Sequence, residues 1–175
     1  CTITANSGND TLIAGTGVAT LIGGTGNDTF IVNSASDVVH DTSATASNTI
    51  QSSVSYTLPA DVNSLVLAGS AALTGTANSG NDTLTSNSGV DTLIGGAGSD
   101  TFVVGNASDV VQDTSTTASN TIQASVSYTL PTNVNTLQLL GSGNLVATTN
   151  AGNDLVTGNA GNDTLNATSG GDTRV

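Results

Sequence analysis

Two stretches of the chain share one nine-residue pattern, Gly-Gly-x-Gly-x-Asp-x-(apolar)-x. They read Gly-Gly-Thr-Gly-Asn-Asp-Thr-Phe-Ile at residues 23–31 and Gly-Gly-Ala-Gly-Ser-Asp-Thr-Phe-Val at residues 95–103. A Gly-rich turn that carries one carboxylate and is followed by strand-forming residues describes a metal-binding turn and a short strand in one unit. Units of this kind stack on one another. The pattern therefore predicts a stacked β-structure and points away from an enzyme.

The offset between these two stretches is a 72-residue period that extends over the whole chain. The segment Asn6–Asp10 has counterparts at 78–82 and at 150–154, with the Gly-Asn-Asp steps in the same places. The outermost units are incomplete, so we expect the chain to be a slice of a longer array. We divide it into the end of a preceding repeat at 1–5, repeat 1 at 6–77, repeat 2 at 78–149 and a partial repeat 3 at 150–175.

A shorter period of nine residues runs inside each repeat. Leu12, Leu21, Phe30 and Val39 are nine residues apart, and the same spacing recurs from Leu84 onwards. Nine residues form one turn and one short strand, so eighteen form a coil that returns above itself, and four coils fill one repeat. The density of Gly, Asn, Thr and Ser opposes a helix. We predict an all-β fold, a parallel β-solenoid of roughly 18-residue coils arranged as a 72-residue tandem repeat.

The segment 40–76 and its copy at 112–148 lack the Gly-Asp signature but keep short apolar strands. We expect them to form metal-free coils that continue the same stack, with Pro59 and Pro131 in turns where no ladder N–H is required. A small subdomain that interrupts the stack is the alternative. The equal length of the two copies favours the continuous stack.

Composition narrows the choice of partners. All thirteen acidic residues are Asp, Arg174 is the only basic residue besides a single His, and the net charge is -12. Such a chain should repel nucleic acid and anionic membrane surfaces. It also has no apolar run of the roughly 18 residues that a membrane-spanning helix needs, so we expect no membrane insertion. Because the Asp residues sit at fixed positions in turns, we interpret them as ligands for a cation.

These turns resemble those of the RTX (hemolysin-type) family, the secreted calcium-binding nonapeptide-repeat proteins of Gram-negative bacteria. The resemblance rests on the two full nonapeptides and on weaker relatives at 6–10, 88–91, 150–154, 158–163 and 170–172. It implies a β-roll in which Gly-rich turns of neighbouring coils form a cage of Asp carboxylates and backbone carbonyls around Ca²⁺. Calcium takes six to eight such oxygens. Zinc and copper fit poorly, because the chain has one Cys and one His.

A cage between two turns on one side of the solenoid requires Asp residues eighteen apart. The pairs with this spacing are Asp10 with Asp28, Asp82 with Asp100, Asp154 with Asp172 and, on the other side, Asp91 with Asp109; Asp163 has no downstream partner. The glycines that we assign to the cages are Gly8, Gly24, Gly26, Gly96 and Gly98. Each Asp also has a plainer interpretation, in which its side chain hydrogen-bonds its own turn. We assign Asp37, Asp41, Asp61 and Asp113 to turns or solvent.

No catalytic group stands out. The single histidine, His40, is replaced by Gln112 in repeat 2. Three functions remain open. The first is a calcium-stiffened rod of an extracellular adhesin, surface layer or self-assembling filament, located outside the bacterial cell or on its surface and able to associate end to end. The second is the C-terminal folding and secretion module of a secreted RTX protease, lipase or epimerase. An ice-binding solenoid is a minor third.

Overall fold

The computed structural model describes residues 1–43 and 46–175. Within these ranges the regular structure consists of twenty strands of two to four residues and no helix. The strands are β1 (Thr2–Thr4), β2 (Thr11–Ile13), β3 (Thr20–Ile22), β4 (Thr29–Val32), β5 (Val38–His40), β6 (Thr49–Ser52), β7 (Tyr56–Thr57), β8 (Ser64–Leu67), β9 (Thr74–Thr76), β10 (Thr83–Thr85), β11 (Thr92–Ile94), β12 (Thr101–Val104), β13 (Val110–Gln112), β14 (Thr121–Ala124), β15 (Tyr128–Thr129), β16 (Thr136–Leu139), β17 (Val146–Thr148), β18 (Leu155–Thr157), β19 (Thr164–Asn166) and β20 (Thr173–Arg174).

The even-numbered strands form one ten-stranded sheet in which each strand pairs in parallel with the next even-numbered strand, from β2 to β20. Two successive strands therefore make one coil, and the chain winds through about ten coils. The odd-numbered strands lie on the other side in three smaller sheets, β1-β3-β5, β7-β9-β11-β13 and β15-β17-β19. The prediction of a parallel β-solenoid is confirmed.

The register shows how the repeat is divided into coils. Along the ten-stranded sheet Leu12 pairs with Phe30, Phe30 with Ile50, Ile50 with Leu65 and Leu65 with Leu84. Four coils thus carry the chain from Leu12 to its repeat equivalent Leu84, as predicted, and the motif-less segment continues the same stack. The coils differ in length, however. The coil from Phe30 to Ile50 is longer than the Gly-rich coil from Leu12 to Phe30, and the coil from Ile50 to Leu65 is shorter.

The core is a narrow column of single side chains. Each strand turns one or two residues inward, since side chains alternate between the faces of a strand. Phe30 and Phe102, the apolar positions of the two full nonapeptides, are completely buried, and so are Ile50, Leu65 and Leu84 between them. A chain with two Phe, no Trp and no Met can fill such a column, because each coil needs only a few aliphatic groups.

Tyrosine side chains bridge the two breaks between the smaller sheets. The Tyr128 hydroxyl donates a hydrogen bond of 2.8 Å to the carbonyl oxygen of Asp109. Burial raises the pKa of Tyr128 to about 12. Tyr56 donates to the carbonyl oxygen of Asp37 at the other break, also at 2.8 Å. The phenol oxygen thus satisfies edge groups of β5 and β13 that no strand of these sheets pairs on that side.

We predict that Tyr128→Phe lowers the free energy of unfolding by about 1–3 kcal/mol, because it leaves the buried Asp109 carbonyl without its partner. Urea unfolding at one saturating calcium concentration measures this loss. Tyr56→Phe is the matched control and should lose less, since Tyr56 is only half-buried whereas Tyr128 is 9% exposed. Equal stability of Tyr128→Phe and the unaltered chain would contradict the bridging role.

Candidate metal centres

The turns stack in two columns, one on each side of the solenoid. Column A contains the turns that precede the even-numbered strands, and column B contains those that precede the odd-numbered strands. Each candidate Asp is the residue immediately before its strand. Column A holds the pairs Asp10 with Asp28, Asp82 with Asp100 and Asp154 with Asp172, and column B holds Asp91 with Asp109 and the single Asp163.

The members of each predicted pair lie in adjacent turns and contact each other. Asp28 Oδ1 accepts the backbone N–H of Asp10 at 2.8 Å, and Asp28 Oδ2 accepts the N–H of Gly24 in its own turn at 3.0 Å. The carboxylate of the later residue therefore meets the backbone of the earlier one. The same bond joins Asp100 to Asp82 at 2.9 Å, Asp109 to Asp91 at 2.8 Å and Asp172 to Asp154 at 3.1 Å.

Asp residues without an acidic partner make this bond too. Asp37 Oδ1 accepts the N–H of Ala19 at 2.8 Å, and Asp163 Oδ1 accepts the N–H of Leu145 at 2.9 Å. Hydrogen bonding by the Asp side chain, the plainer interpretation, therefore accounts for the geometry of Asp37 and of the ligand candidates equally well. Calcium binding must rest on further features of the turns.

The close approach of two turn backbones is one such feature. Any side chain at Gly24 would overlap the carbonyl oxygen of Asn6 in the turn below, and one at Gly96 would overlap the carbonyl oxygen of Asn78. Gly26 has a φ of +134°, which L side chains rarely adopt. The full nonapeptides therefore bring backbone carbonyls next to carboxylates, with no side chain between the turns at the second glycine.

Other junctions carry asparagine in place of that second glycine. The Asn78 side-chain amide donates to the carbonyl oxygens of Pro59 at 2.8 Å and Val62 at 2.7 Å in the turn below. Asn150, its equivalent in the next repeat, makes the same two bonds. At these junctions the NH2 end of the Asn side chain, which is a donor only, lies against two carbonyl oxygens of the turn below. The glycine junctions leave that position empty of side chains.

The structure also adds a carboxylate that the sequence interpretation had placed elsewhere. Asp113 lies in a turn, where its Oδ1 accepts the Ser115 N–H at 2.5 Å, but it is buried and not exposed to solvent. A Cβ at Gly95 would lie 3.0 Å from Asp100 Oδ2 and closer still to Asp113 Oδ2. Burial, and to a lesser extent the charge of Asp100, raises the pKa of Asp113. Asp41 occupies the same position in repeat 1. A search for Asp pairs at a spacing of eighteen misses both residues, because the residue eighteen positions earlier is Gly23 or Gly95, while Asp28 and Asp41, like Asp100 and Asp113, are thirteen positions apart.

The donor set fits a hard cation. The carboxylates are buried to different degrees, and Asp28, Asp91 and Asp100 are at most 1% exposed. In the described ranges no three His, Cys, Asp or Glu side chains lie close enough to hold a metal by themselves. A bound ion would therefore combine one or two carboxylates with backbone carbonyls, which is a ligand set that calcium accepts and that softer metals do not prefer.

Two of the candidate carboxylates are buried in surroundings that disfavour their charge. Burial raises the pKa of Asp82 to about 6, against an ordinary value of 3.8; the Asn78 N–H partly offsets this, and the neighbouring Asp100 adds to it. Burial raises the pKa of Asp154 for the same reasons, with Asn150 and Asp172 as the corresponding neighbours. The chain contains no Lys whose ammonium group could neutralise these two carboxylates.

A solenoid whose stacked Gly-rich turns gather carboxylate and carbonyl oxygens defines a class of metal-binding repeat protein. A family model described as RTX calcium-binding nonapeptide repeat matches four times, at residues 2–30, 13–40, 76–111 and 141–173. These matches cover more than half of the chain, and the chain belongs to this family. The unmatched ranges 41–75 and 112–140 are the motif-less coils. Comparison with curated proteins and with solved structures gives no match. The described residues contain no helix long and apolar enough to cross a membrane.

We expect the calcium-free protein to be more stable at about pH 4.5 than at pH 7.5. The folded-state pKa of Asp82, about 6, lies above its ordinary value of 3.8, so the folded state binds this proton more tightly. The resulting stabilisation is present at acid pH and is lost as the pH rises through about 6. Circular dichroism of chelator-treated protein across this range measures the stabilisation as a gain of β-structure towards acid pH.

The control for this pH dependence is Asp82→Asn, which has no proton to release. Its content of β-structure should fall less between about pH 4.5 and 7.5 than that of the unaltered chain. Identical slopes for the two proteins would show that repulsion among the other acidic residues, and not burial of Asp82, sets the pH dependence.

Proposed function

We propose that this calcium-binding repeat protein is a structural rod, a calcium-stiffened segment of an extracellular adhesin, surface layer or self-assembling filament at the bacterial surface. The observation that carries the proposal is the junction between the turns of Asp10 and Asp28, where a buried carboxylate, a glycine and closely approaching backbone carbonyls meet in one column. The same arrangement recurs at Asp82 with Asp100. The ligands we propose are the four Asp pairs described above, Asp163 and the neighbouring Gly backbones.

Calcium would act as the folding switch. Without a cation, thirteen carboxylates and a single Arg produce a repulsion that stacking must overcome. An ion that binds only the folded turns adds stability of RT ln(1 + [L]/Kd) at each site. Several sites in two columns would act together, so the chain would stay unfolded where calcium is scarce and fold where calcium is millimolar. The same property suits export through a secretion channel.

The strand ladder supports a mechanical role. The ten-stranded sheet runs through nonapeptide coils and motif-less coils without a break. In the described structure, β2 pairs only with β4 and β20 only with β18 within this sheet. Each outer edge can accept a further coil of the same register, either from the same array or from a second copy. We therefore propose end-to-end association as the route to longer rods. The acidic surface disfavours nucleic acid and anionic membranes as partners.

A folding and secretion module of a larger secreted enzyme is the alternative within the same family. The regular alternation of two Gly-rich coils with two motif-less coils favours the rod, because calcium-driven folding alone would not require the motif-less coils. We propose no catalytic role for the chain. His40 lies exposed on β5 beside Ile22 of the neighbouring strand.

One observation favours ice binding as a second candidate. Although the turns lack a threonine row, the outward face of the ten-stranded sheet has one, with strands spaced about 4.8 Å apart. Nine of its ten positions are Thr or Ser, and the exception is Leu155. The row consists of Thr11, Thr29, Thr49, Ser64, Thr83, Thr101, Thr121, Thr136 and Thr173.

We predict that the double substitution Asp28→Asn and Asp100→Asn raises the calcium concentration at the folding midpoint at least about tenfold, because it removes one charged ligand from each full nonapeptide. Circular dichroism during a calcium titration of chelator-treated protein measures the midpoint. Asp37→Asn is the matched control, since Asp37 bonds its turn and the turn below in the same way but faces Ala19. Equal shifts in both variants would contradict calcium binding at Asp28 and Asp100.

The structural role predicts filaments or end-to-end chains in negative-stain micrographs of the calcium-loaded protein, and their dispersal by a chelator. Thermal hysteresis measured on the same sample tests ice binding. Single particles with hysteresis would favour the ice-binding candidate. Single particles without hysteresis would contradict both roles and leave the secretion module.

A further inference from the structure

Column A contains a cavity at a junction that the nonapeptide motif does not cover. The cavity has a volume of about 250 Å³ and lies between the turn 59–63, which lacks the motif, and the Gly-Asn-Asp turn 78–82 above it. Repeat 2 has a counterpart of about 280 Å³ between the turns 131–135 and 150–154. A cavity that recurs at the repeat period is a feature of the repeat.

Asp82 lines this cavity, and one oxygen of its buried carboxylate has no hydrogen-bond partner in the described chain. Its Oδ2 accepts the Asn78 N–H at 2.8 Å, as in the other turns. Its Oδ1 lies where other Asp residues accept an N–H from the turn below, yet it has no hydrogen-bond partner within residues 1–43 and 46–175. Asp82 is 3% exposed. A buried anionic oxygen without a partner is costly, so it requires a cation, a proton or an ordered water.

Asp154 repeats this arrangement in full. Its Oδ2 accepts the Asn150 N–H at 3.0 Å, and its Oδ1 likewise lacks a partner in the described chain. Asp154 is also 3% exposed. The cavity of repeat 2 is lined by residues that are all described. An unpartnered Asp oxygen therefore occurs in both repeats where a Gly-Asn-Asp turn stacks on a turn that lacks the motif.

The two cavities differ by one charge. Asp61 lines the cavity of repeat 1, whereas Asn133 occupies the equivalent position in repeat 2. Asn133 adopts a φ of 68°, and its Nδ2 donates to the Asp113 carbonyl oxygen at 2.9 Å. An ionised Asp has no N–H to donate, so Asp61 cannot make the corresponding bond. Asp61 is exposed, so repeat 1 offers its cavity one buried and one exposed carboxylate, whereas repeat 2 offers one buried carboxylate.

The remaining lining atoms suit a hard cation. Asn63 also lines the cavity and carries a side-chain amide oxygen, whereas Asn81 Oδ1 and the Gly80 carbonyl oxygen face the turn above, at Ser99 and Gly98. Hard cations such as Ca²⁺ and Mn²⁺ prefer oxygen ligands of this kind and keep waters where protein ligands are few. A volume of about 250 Å³ has room for an ion and several waters, each of which occupies about 30 Å³ in the liquid.

We propose that the cavity beneath Asp82 is a divalent-cation site of repeat 1, with Asp82 Oδ1 and the Asp61 carboxylate as its charged ligands. The site shares Asp82 with the pair Asp82 and Asp100 but lies on the other side of that turn, against the turn 59–63, and it includes neither Asp28 nor Asp100. It joins a Gly-rich coil to a motif-less coil. The cavity beneath Asp154, with Asn133 in place of the second carboxylate, binds the same ion more weakly.

The test uses crystals of the complete chain soaked in Mn²⁺, with anomalous scattering as the readout, and calcium calorimetry in solution. The unaltered protein should show an anomalous peak at coordination distance from Asp82 Oδ1. Asp61→Asn should lose that peak and weaken one calcium site at least about tenfold. This variant is a mild change, since it places in repeat 1 the residue that repeat 2 already has. Its β-content by circular dichroism should equal that of the unaltered chain.

A water without anomalous signal at Asp82 Oδ1 would overturn the inference, and so would an unchanged peak in Asp61→Asn. The map of the unaltered protein decides the question even if the variant does not crystallise. Peaks at Asp28 and Asp100 but none beneath Asp82 would overturn this inference and leave the proposed function standing. A peak beneath Asp82 with none at Asp28 and Asp100 would do the reverse.

Discussion

The bond from an Asp Oδ1 to a backbone N–H in the turn below is the interaction on which the solenoid depends. It joins Asp28 to Asp10 and Asp37 to Ala19, and it recurs in both columns. The strands are too short to hold the coils by themselves, since most have three residues. The carboxylate also closes its own turn through Oδ2. One side chain therefore sets both the shape of a turn and its distance from the next turn.

Using Asp side chains in this way satisfies the N–H groups of the turns, but it places many negative charges close together. A neutral Asn can accept the same bond, as Asn48 does from the Asp28 N–H at 2.7 Å and Asn120 from the Asp100 N–H at 2.7 Å. The charge of Asp is thus not required for the bond between turns, although only a carboxylate has the second oxygen that accepts an N–H of its own turn. With a net charge of -12 and no Lys, the chain leaves protons and external cations as the means of neutralisation. Carbonyl oxygens beside Gly24 and Gly96 make a cation the better match.

The sequence predicts those parts of the structure that follow its regular nine-residue period, and it does not predict the parts that depart from this period. Apolar residues recur every nine positions from Leu12 through Leu21 to Phe30. This period predicts parallel coils, because a coil of two strands repeats its inward residue every eighteen positions, as the pairing of Leu12 with Phe30 shows. The same periodicity predicts which Asp residues become neighbours. It does not predict the unequal coils between Phe30 and Leu84, because their loops have no repeated signature to count. The burial of Asp113 beside Asp100 was missed because these residues are thirteen positions apart, a spacing that is no multiple of the nine-residue period. The Tyr128 bridge depends on a sheet break that no local pattern marks.

The asparagine and glycine junctions hold neighbouring turns together through different contacts. Asn78 places an amide on two carbonyl oxygens of the turn below, so those two oxygens need no ion. Gly96 admits no side chain, so the turn of Asp100 meets the turn below through its carboxylate, backbone groups and the Asn81 side chain, which accepts the Ser99 N–H. A repeat that alternates the two kinds of junction therefore joins neighbouring turns in two ways, by amide-to-carbonyl hydrogen bonds and by oxygen groups that a cation can bridge. A cation that binds only the stacked turns adds its stability to the folded array alone.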